Sequence, residues 1–193
     1  MSNYGMIPVA GKGNIVSVLK KNVSIETALS AGEANDANWD HIGYLAGITP
    51  VTMTKEVNAE IYLDNPDGYT TKSTGGKDAG DLSFQIGYAP GLAVQQRLVD
   101  IYDVSNGEVE KNWYRVKSPT EDPSQYVVNM YYGPMSSLGA PSSIENSADM
   151  KRDITVAVEG RPKLAEDFLR SALTRPTTSV TNSTSVTNSS ASS

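Results

Sequence analysis

The feature that most constrains this 193-residue chain is an alternation of apolar and polar side chains that recurs between residues 12 and 168. A period of two is typical of a β-strand with one face buried and the other exposed. It predicts strands over residues 51–63, 82–88, 126–130 and 154–158, and shorter strands over 15–19 and 113–117. We therefore predict a domain that is mainly β.

The longest alternating segment, residues 51–63, separates its side chains into two faces. Val51, Met53 and Val57 lie on the face that the pattern predicts to be buried. The opposite face is polar and includes Glu56 and Glu60. The pattern indicates a strand that is half buried and has an acidic outer face.

One segment has the period of a helix instead. Val94, Leu98 and Ile101 recur at i, i+4 and i+7, which predicts an amphipathic helix of about three turns. Strands with a single helix beside them indicate a β-rich domain that carries one helix on one side. A domain of about 150 residues buries roughly 70% of its unfolded surface, so it needs no metal ion or disulfide to fold.

The chain divides into three parts. We predict an N-terminal arm over residues 1–14, a β-domain over 15–168 and a flexible tail over 169–193. The tail becomes an uncharged Ser/Thr-rich tract after Arg175, which has too little apolar surface to offset the entropy lost on ordering. Within the domain, a polar connection over residues 64–79 predicts a long loop, and loops of that length are usually functional or disordered.

Composition excludes several classes of protein. The net charge of −6 argues against a sequence-specific DNA-binding protein, which would carry a basic patch. Residues 1–21 carry +3, residues 22–110 carry −10 and residues 111–193 carry +1, a separation compatible with electrostatic contacts between copies. An ordinary solvated surface is the simpler explanation. Neither a secretory signal nor a membrane-spanning stretch is evident, so we expect a soluble chain made in the cytoplasm.

The sequence offers little catalytic chemistry. There is no Cys and the only His is His41, so thiol nucleophiles and multi-His metal sites are excluded. No Gly-x-Ser-x-Gly motif, Walker motif or EF-hand spacing is present. Glu56 and Glu60 share a strand face, as paired glycosidase carboxylates do, but a solvated face explains them more simply. We predict no enzymatic activity, no cofactor and no metal site.

Several short motifs occur in an order that resembles a known family. Asn38-Trp39-Asp40-His41-Ile42 precedes Leu45-Ala46-Gly47-Ile48-Thr49-Pro50, and Lys77-Asp78-Ala79-Gly80-Asp81-Leu82-Ser83-Phe84 follows the polar connection. Ala89-Pro90-Gly91 and Gln95-Gln96 lead into the predicted helix, and Gly160-Arg161-Pro162-Lys163-Leu164-Ala165-Glu166-Asp167 closes the domain. These segments resemble the major tail tube protein of lambda-like phages with long non-contractile tails. The resemblance covers roughly residues 38–167, and the immunoglobulin-like domain that follows in the lambda protein is replaced here by the Ser/Thr tail.

The resemblance implies a structural virion protein of the phage tail, made in the cytoplasm of the host bacterium. It implies a small β-sandwich or barrel with one flanking α-helix. It also implies hexameric rings whose strands join into a continuous inner barrel, and stacked rings that form the tube through which DNA is ejected. Tape measure, tail initiator and tail terminator proteins are the other partners that it implies. The physics agrees, because a closed ring pairs open sheet edges, and an acidic wall repels passing phosphates.

From these observations we assign roles to the charged residues. We expect the loop after residue 63, the N-terminal arm and the C-terminal tail to make contacts between rings or subunits, and Glu56 and Glu60 to face the lumen. A virion-surface or secreted β-sandwich that binds glycans is the alternative, with Trp39, Trp113, Tyr131 and Tyr132 available to stack on sugars. The loop residues expected at the assembly contact are Asp64, Asp67, Lys72, Lys77 and Asp78.

Overall fold

The computed structural model describes residues 13–60, 70–103, 110–122, 125–141 and 150–174. Strands outnumber helices, as the alternation predicts. In chain order the elements are β1 (Ile15–Leu19), α1 (Ile25–Ser30), β2 (Trp39–Ile42), β3 (Leu45–Thr49), β4 (Thr54–Glu60), β5 (Thr71–Asp78), β6 (Asp81–Gly87), α2 (Ala93–Tyr102), β7 (Lys111–Pro119), β8 (Tyr126–Leu138), β9 (Lys151–Ala157) and α3 (Ala165–Thr174).

Seven strands form one antiparallel sheet in the order β2-β1-β7-β8-β9-β6-β3, and β4 pairs with β5 in a separate hairpin. The 13-residue strand β8 belongs to both halves of the sheet. Its first part, from Tyr126 to Pro134, pairs with β7, and its last part, from Met135 to Leu138, pairs with β9. The sheet therefore folds over along β8 into a small β-sandwich.

The main core lies between the two halves of the sandwich and is closed on one side by α2. Val16 and Tyr114 from one half meet Leu82 and Ile154 from the other, and all four are fully buried. A second cluster covers the outer face of the first half, where α1 residues pack around Trp39. The half that contains β1, β2 and β7 is therefore covered on both faces.

Most of the elements that the sequence predicts are present. Strands β1, β6, β7, β8 and β9 confirm five of the predicted strands, and burial alternates along β6 and β9. The predicted flanking helix is α2, which buries Leu98 and Ile101 together with Gln95. Gln95 is buried at low cost because its side-chain amide donates to the Gly87 carbonyl and accepts from the Ala89 N–H, at 2.8 and 2.9 Å.

Two predictions about the segment after residue 50 are wrong. The predicted loop over residues 64–79 contains strand β5, and β4 is exposed along its described side chains rather than half buried. Both errors have one cause, because β4 and β5 pair with each other and with no strand of the main sheet. Backbone pairing, rather than an apolar face, makes this segment a hairpin.

Two helices are additional to the one that the sequence predicts. The six-residue helix α1 is capped by Ser24, whose hydroxyl accepts a hydrogen bond from the Thr27 N–H at 3.2 Å. Helix α3 runs to Thr174, so it crosses the boundary predicted at residue 168 and occupies the first residues of the predicted tail. Residues 175–193 and residues 1–12 lie outside the described ranges.

Two buried cations on β7 hold the segment between α1 and β2 against the sheet. Arg115 and Lys117 both pair with Asp36, and the Lys117 ammonium lies 2.9 Å from the carboxylate. Arg115 also donates to the backbone carbonyls of Glu33 and Asn35, at 3.2 and 2.7 Å, and lies over the Trp39 ring. Each cation is thus satisfied mainly by backbone oxygens and by one shared carboxylate.

The crossing of β8 between the two halves gives the first prediction. A Cβ on Gly133 would lie 1.9 Å from the Ala157 carbonyl oxygen, whereas a Cβ on Gly43 would meet no atom within 4 Å. We expect Gly133→Ala to lower the free energy of unfolding by roughly 2–3 kcal/mol, because backbone must move to admit the methyl group. Gly43→Ala, the matched control, should change it by less than about 0.5 kcal/mol. Urea unfolding followed by tryptophan fluorescence measures both, and equal effects would contradict this view of the crossing.

The Asp36 contacts predict a dependence of stability on pH. Burial would raise the pKa of the Asp36 carboxyl, but hydrogen bonds from Lys117 and Arg115 outweigh burial and hold that pKa below its ordinary value of 3.8. A pKa lowered in the folded state stabilises the protein above the unfolded-state pKa, and this stabilisation disappears as the pH falls through the folded-state pKa.

We therefore expect Asp36→Asn to destabilise the chain at pH 7 by roughly 0.5–1 kcal/mol, because the Asp36 side chain is 62% exposed and solvent screens its pairs with the two buried cations. The difference from wild type should shrink as the pH falls below 3.8. Glu33→Gln is the control, because Glu33 makes no side-chain ion pair with the described residues. Denaturant titrations at a series of pH values give the measurement, and a difference that does not vary with pH would rule out the assignment.

Candidate assembly surfaces

The β4–β5 hairpin leaves the sandwich after Pro50 and returns to it at Gly80. At its base the N–H of Gly80 donates to the Asp78 carboxylate at 3.0 Å. Gly80 has a φ of 73°, and a Cβ there would lie 2.8 Å from the Thr52 carbonyl oxygen, so the turn requires glycine. The hairpin therefore leaves the sandwich at a defined turn.

The pairing register assigns the side chains of the hairpin to two faces. Lys55 lies opposite Lys77, Val57 opposite Thr74 and Ala59 opposite Lys72, and residues directly opposite one another share a face. Val57 is 55% exposed even though it is apolar. We call this the basic face of the hairpin, and its members are Lys55, Val57, Ala59, Lys72, Thr74 and Lys77.

The other face is polar and acidic. Thr54 pairs with Asp78 and Asn58 pairs with Ser73, and Glu56 follows the same alternation along β4. A register shift at this point sets Glu56 against the two glycines of β5, and its carboxylate lies over Gly75. We call this the acidic face of the hairpin.

The structure brings most of the described candidate residues onto this hairpin and separates them by face. Lys72 and Lys77 lie on the basic face, and Glu56 and Asp78 lie on the acidic face. The backbone of Glu60 pairs with that of Thr71 at the far end of β4. Asp64 and Asp67 lie outside the described residues. Sequence analysis missed Lys55. The alternation over residues 51–63 could have placed it on the other face of the strand from Glu56.

The charges on the basic face have no partner within the described part of the chain. Lys55, Lys72 and Lys77 are exposed, and none of them forms an ion pair with a described residue. Like charges directly opposite each other on two strands are destabilising, and Lys55 and Lys77 are such a pair. Within the described ranges, the basic face therefore presents cations without counter-charges.

The main sheet has two open edges. Among the described residues, strand β2 ends the sheet on one side and β3 ends it on the other, and each pairs with only one neighbouring strand. An edge strand has unpaired backbone donors and acceptors, which is the usual template for pairing with another chain.

Other candidate sites receive less support. Trp39 and Tyr131 are only 4% and 2% exposed, so they do not present rings to a glycan, and Trp113 stacks on Tyr132 with 5.1 Å between ring centroids. His41 is exposed on the edge strand β2, next to Asp40, which pairs with Arg97. The described residues contain no cluster of metal-ligating side chains. No helix within the described ranges has the length and apolar character needed to cross a membrane.

The facing lysines give a prediction for the free subunit. Lys77→Glu turns the pair with Lys55 into one of opposite charge, which should stabilise the hairpin by roughly 0.5 kcal/mol. Amide hydrogen exchange within β4 and β5 should then slow by about twofold. Lys72→Glu is the matched control, because Lys72 faces Ala59 and gains no such partner. Equal slowing in both variants would contradict the register.

Comparisons with known proteins agree with this geometry. A family model described as "Lambda phage tail tube protein, TTP" matches residues 17–165. Curated protein sequences give no match.

Solved structures with the same fold include the sheath/tube terminator of an extracellular contractile injection system, PVC. Its TM-score is 0.59 and its sequence identity is 14%, and the match covers 81% of this chain and 95% of the terminator chain. The sheath-tube complex of the same system has a TM-score of 0.57 and 15% identity, over 83% and 93% of the two chains. The SPP1 tail tube has a TM-score of 0.50 and 12% identity, over 81% and 80%. At these identities the likeness shows the fold, whereas the family model covers most of the domain. The chain belongs to the lambda phage tail tube protein family and is a structural component of the virion tail.

Proposed function

We propose that copies of this chain close into hexameric rings, and that the rings stack into the tube of a non-contractile tail through which DNA is ejected. The observation that carries this proposal is the pair of edges, β2 and β3, that are open among the described residues, on a sheet whose five other strands each pair with two neighbours. A closed ring can pair such edges between copies without leaving a free edge for aggregation. The hairpin adds a second region that is unpaired with the main sheet.

The lumen is the place we propose for Glu56, on the acidic face of the hairpin, and for Glu60. Glu56 lies on that face, and Glu60 follows it at the strand period. Carboxylates on the channel wall repel the phosphates of a passing DNA, whereas lysines would bind them and slow its transit. This role also accounts for an acidic chain in a protein that handles DNA.

Contacts between rings and subunits are the role we propose for the charged residues of β5, the segment before it and the chain ends. Lys72, Lys77 and Asp78 are exposed on the hairpin, and Asp64 and Asp67 belong to the segment that joins its strands. The arm over residues 1–14 and the tail over residues 169–193 complete this set. Exposed charged side chains of both signs suit contacts that must form in one register only.

Tape measure, tail initiator and tail terminator proteins are the proposed partners beyond the chain itself. Solved structures with the same fold include a tube terminator and a tube-terminating cap, which supports a tube capped by related subunits. We propose synthesis in the host bacterial cytoplasm, followed by assembly into the tail, and a purely structural role without enzymatic activity.

Electron microscopy of the purified chain tests the assembly proposal. We expect rings or tubes, alone or after addition of tail initiator proteins, because the open edges lower the free energy when they pair. A chain that remains monomeric under both conditions would overturn the proposal. A glycan array on the same sample tests the alternative function, and specific glycan binding by a monomer would support it.

Charge reversal tests the proposed lumen. Glu56→Lys combined with Glu60→Lys should leave tube formation intact and reduce DNA ejection, because phosphates bind a basic wall. Infectivity and ejection assays on virions with normal tails give the measurement, with Glu56→Gln and Glu60→Gln as a control that removes charge without reversing it. Unchanged ejection in the lysine variant would contradict the assignment of this face.

A further inference from the structure

The outer face of α2 exposes three large apolar side chains. Its inner face is buried in the core through Gln95, Leu98 and Ile101. On the other side, Val99 and Tyr102 are 36% and 50% exposed, although both carry large hydrophobic side chains. Leu92, at the N-cap two turns before Val99, is 38% exposed. These three residues form an apolar stripe along the helix.

Acidic residues flank this stripe at the C-terminal end of the helix. Asp100 lies in the last turn and Asp103 is the C-cap, and no basic residue lies in that turn. The C-terminal end of a helix carries partial negative charge, so carboxylates are unfavourable there and cations are favourable. Neither carboxylate forms an ion pair with a described residue. We call the stripe and its two acids the α2 stripe.

We propose that the basic face of the hairpin of one copy docks on the α2 stripe of a second copy. This rests on the tube proposed above and names the surfaces that meet in it. Val57 would pack against the stripe near Val99, and lysines of the hairpin would pair with Asp100 and Asp103.

Complementary charges and apolar side chains support the hairpin of a second copy as the occupant of the α2 stripe. The basic face of the hairpin has lysines and no carboxylate around an exposed valine. The α2 stripe has carboxylates and no cation beside exposed apolar side chains. Docking relieves the repulsion between Lys55 and Lys77 and supplies cations to the negative end of the helix. The contact joins two different surfaces, so each copy can donate its hairpin to one neighbour and receive another, as a ring or a stack of rings requires.

Thiol cross-linking tests the contact directly, because the chain contains no cysteine. We expect Val57→Cys with Val99→Cys to yield a ladder of covalently linked oligomers when assembled tubes are treated with a short bis-maleimide. Asn58→Cys with Val99→Cys is the matched control, because residue 58 lies next to Val57 on the opposite face of the hairpin. Denaturing gels give the measurement. Equal ladders, or a product linked only within one chain, would overturn the inference.

Charge reversal provides a second and independent measurement. Lys72→Glu with Lys77→Glu should raise the concentration needed for tube assembly by roughly tenfold or more, and so should Asp100→Lys with Asp103→Lys. All four substitutions in one chain should restore assembly, because the opposite charges face each other again. Circular dichroism checks that each variant folds. Failure of the combined variant to recover would contradict the docking.

The two proposals fail in distinguishable ways. A wild-type chain that forms neither rings nor tubes refutes the proposed function. Wild-type tubes in which residues 57 and 99 cross-link no better than the control pair refute only the docking of the hairpin on α2.

Discussion

The passage of β8 from one half of the sheet to the other is the constraint on which the rest of the fold depends. Because β8 pairs first with β7 and then with β9, the two halves must face each other and share one core. The crossing brings Gly133 against the Ala157 carbonyl, an approach that only a residue without a side chain allows. This fold also seats α2 on β2 and β8, which fixes the direction in which its outer face points.

The buried cations of β7 attach the segment between α1 and β2 to the sheet. Burying a charge is costly unless it is paired, and Arg115 and Lys117 are paired through Asp36 and backbone carbonyls. The segment between α1 and β2 has few apolar side chains, so these hydrogen bonds hold it where hydrophobic contacts cannot. The second cluster around Trp39 then packs beneath it.

Sequence analysis predicted the strands whose burial alternates and failed where burial does not decide the structure. Strands β6 and β9 are half buried, so their alternation is visible in the sequence. Strand β5 contains no large apolar residue and is held by pairing with β4 alone, so no hydrophobic period could reveal it. Helix α1 is only six residues long, which is too short for a period of 3.6 to be distinguished.

The structure places the described candidate residues on one hairpin, and the roles assigned to them stay predictions. Alternation placed Glu56 on a polar face, yet Lys72 and Lys77 were assigned to a loop, where faces cannot be defined. Once β5 is recognised as a strand, the same period that separates buried from exposed side chains separates cations from carboxylates. Two surfaces then carry charges that the described part of the chain does not neutralise. A protein sequence normally agrees with its own fold at every level, and exceptions are expected at functional sites. We propose that these two exceptions mark the surfaces on which a tail tube subunit meets its neighbours.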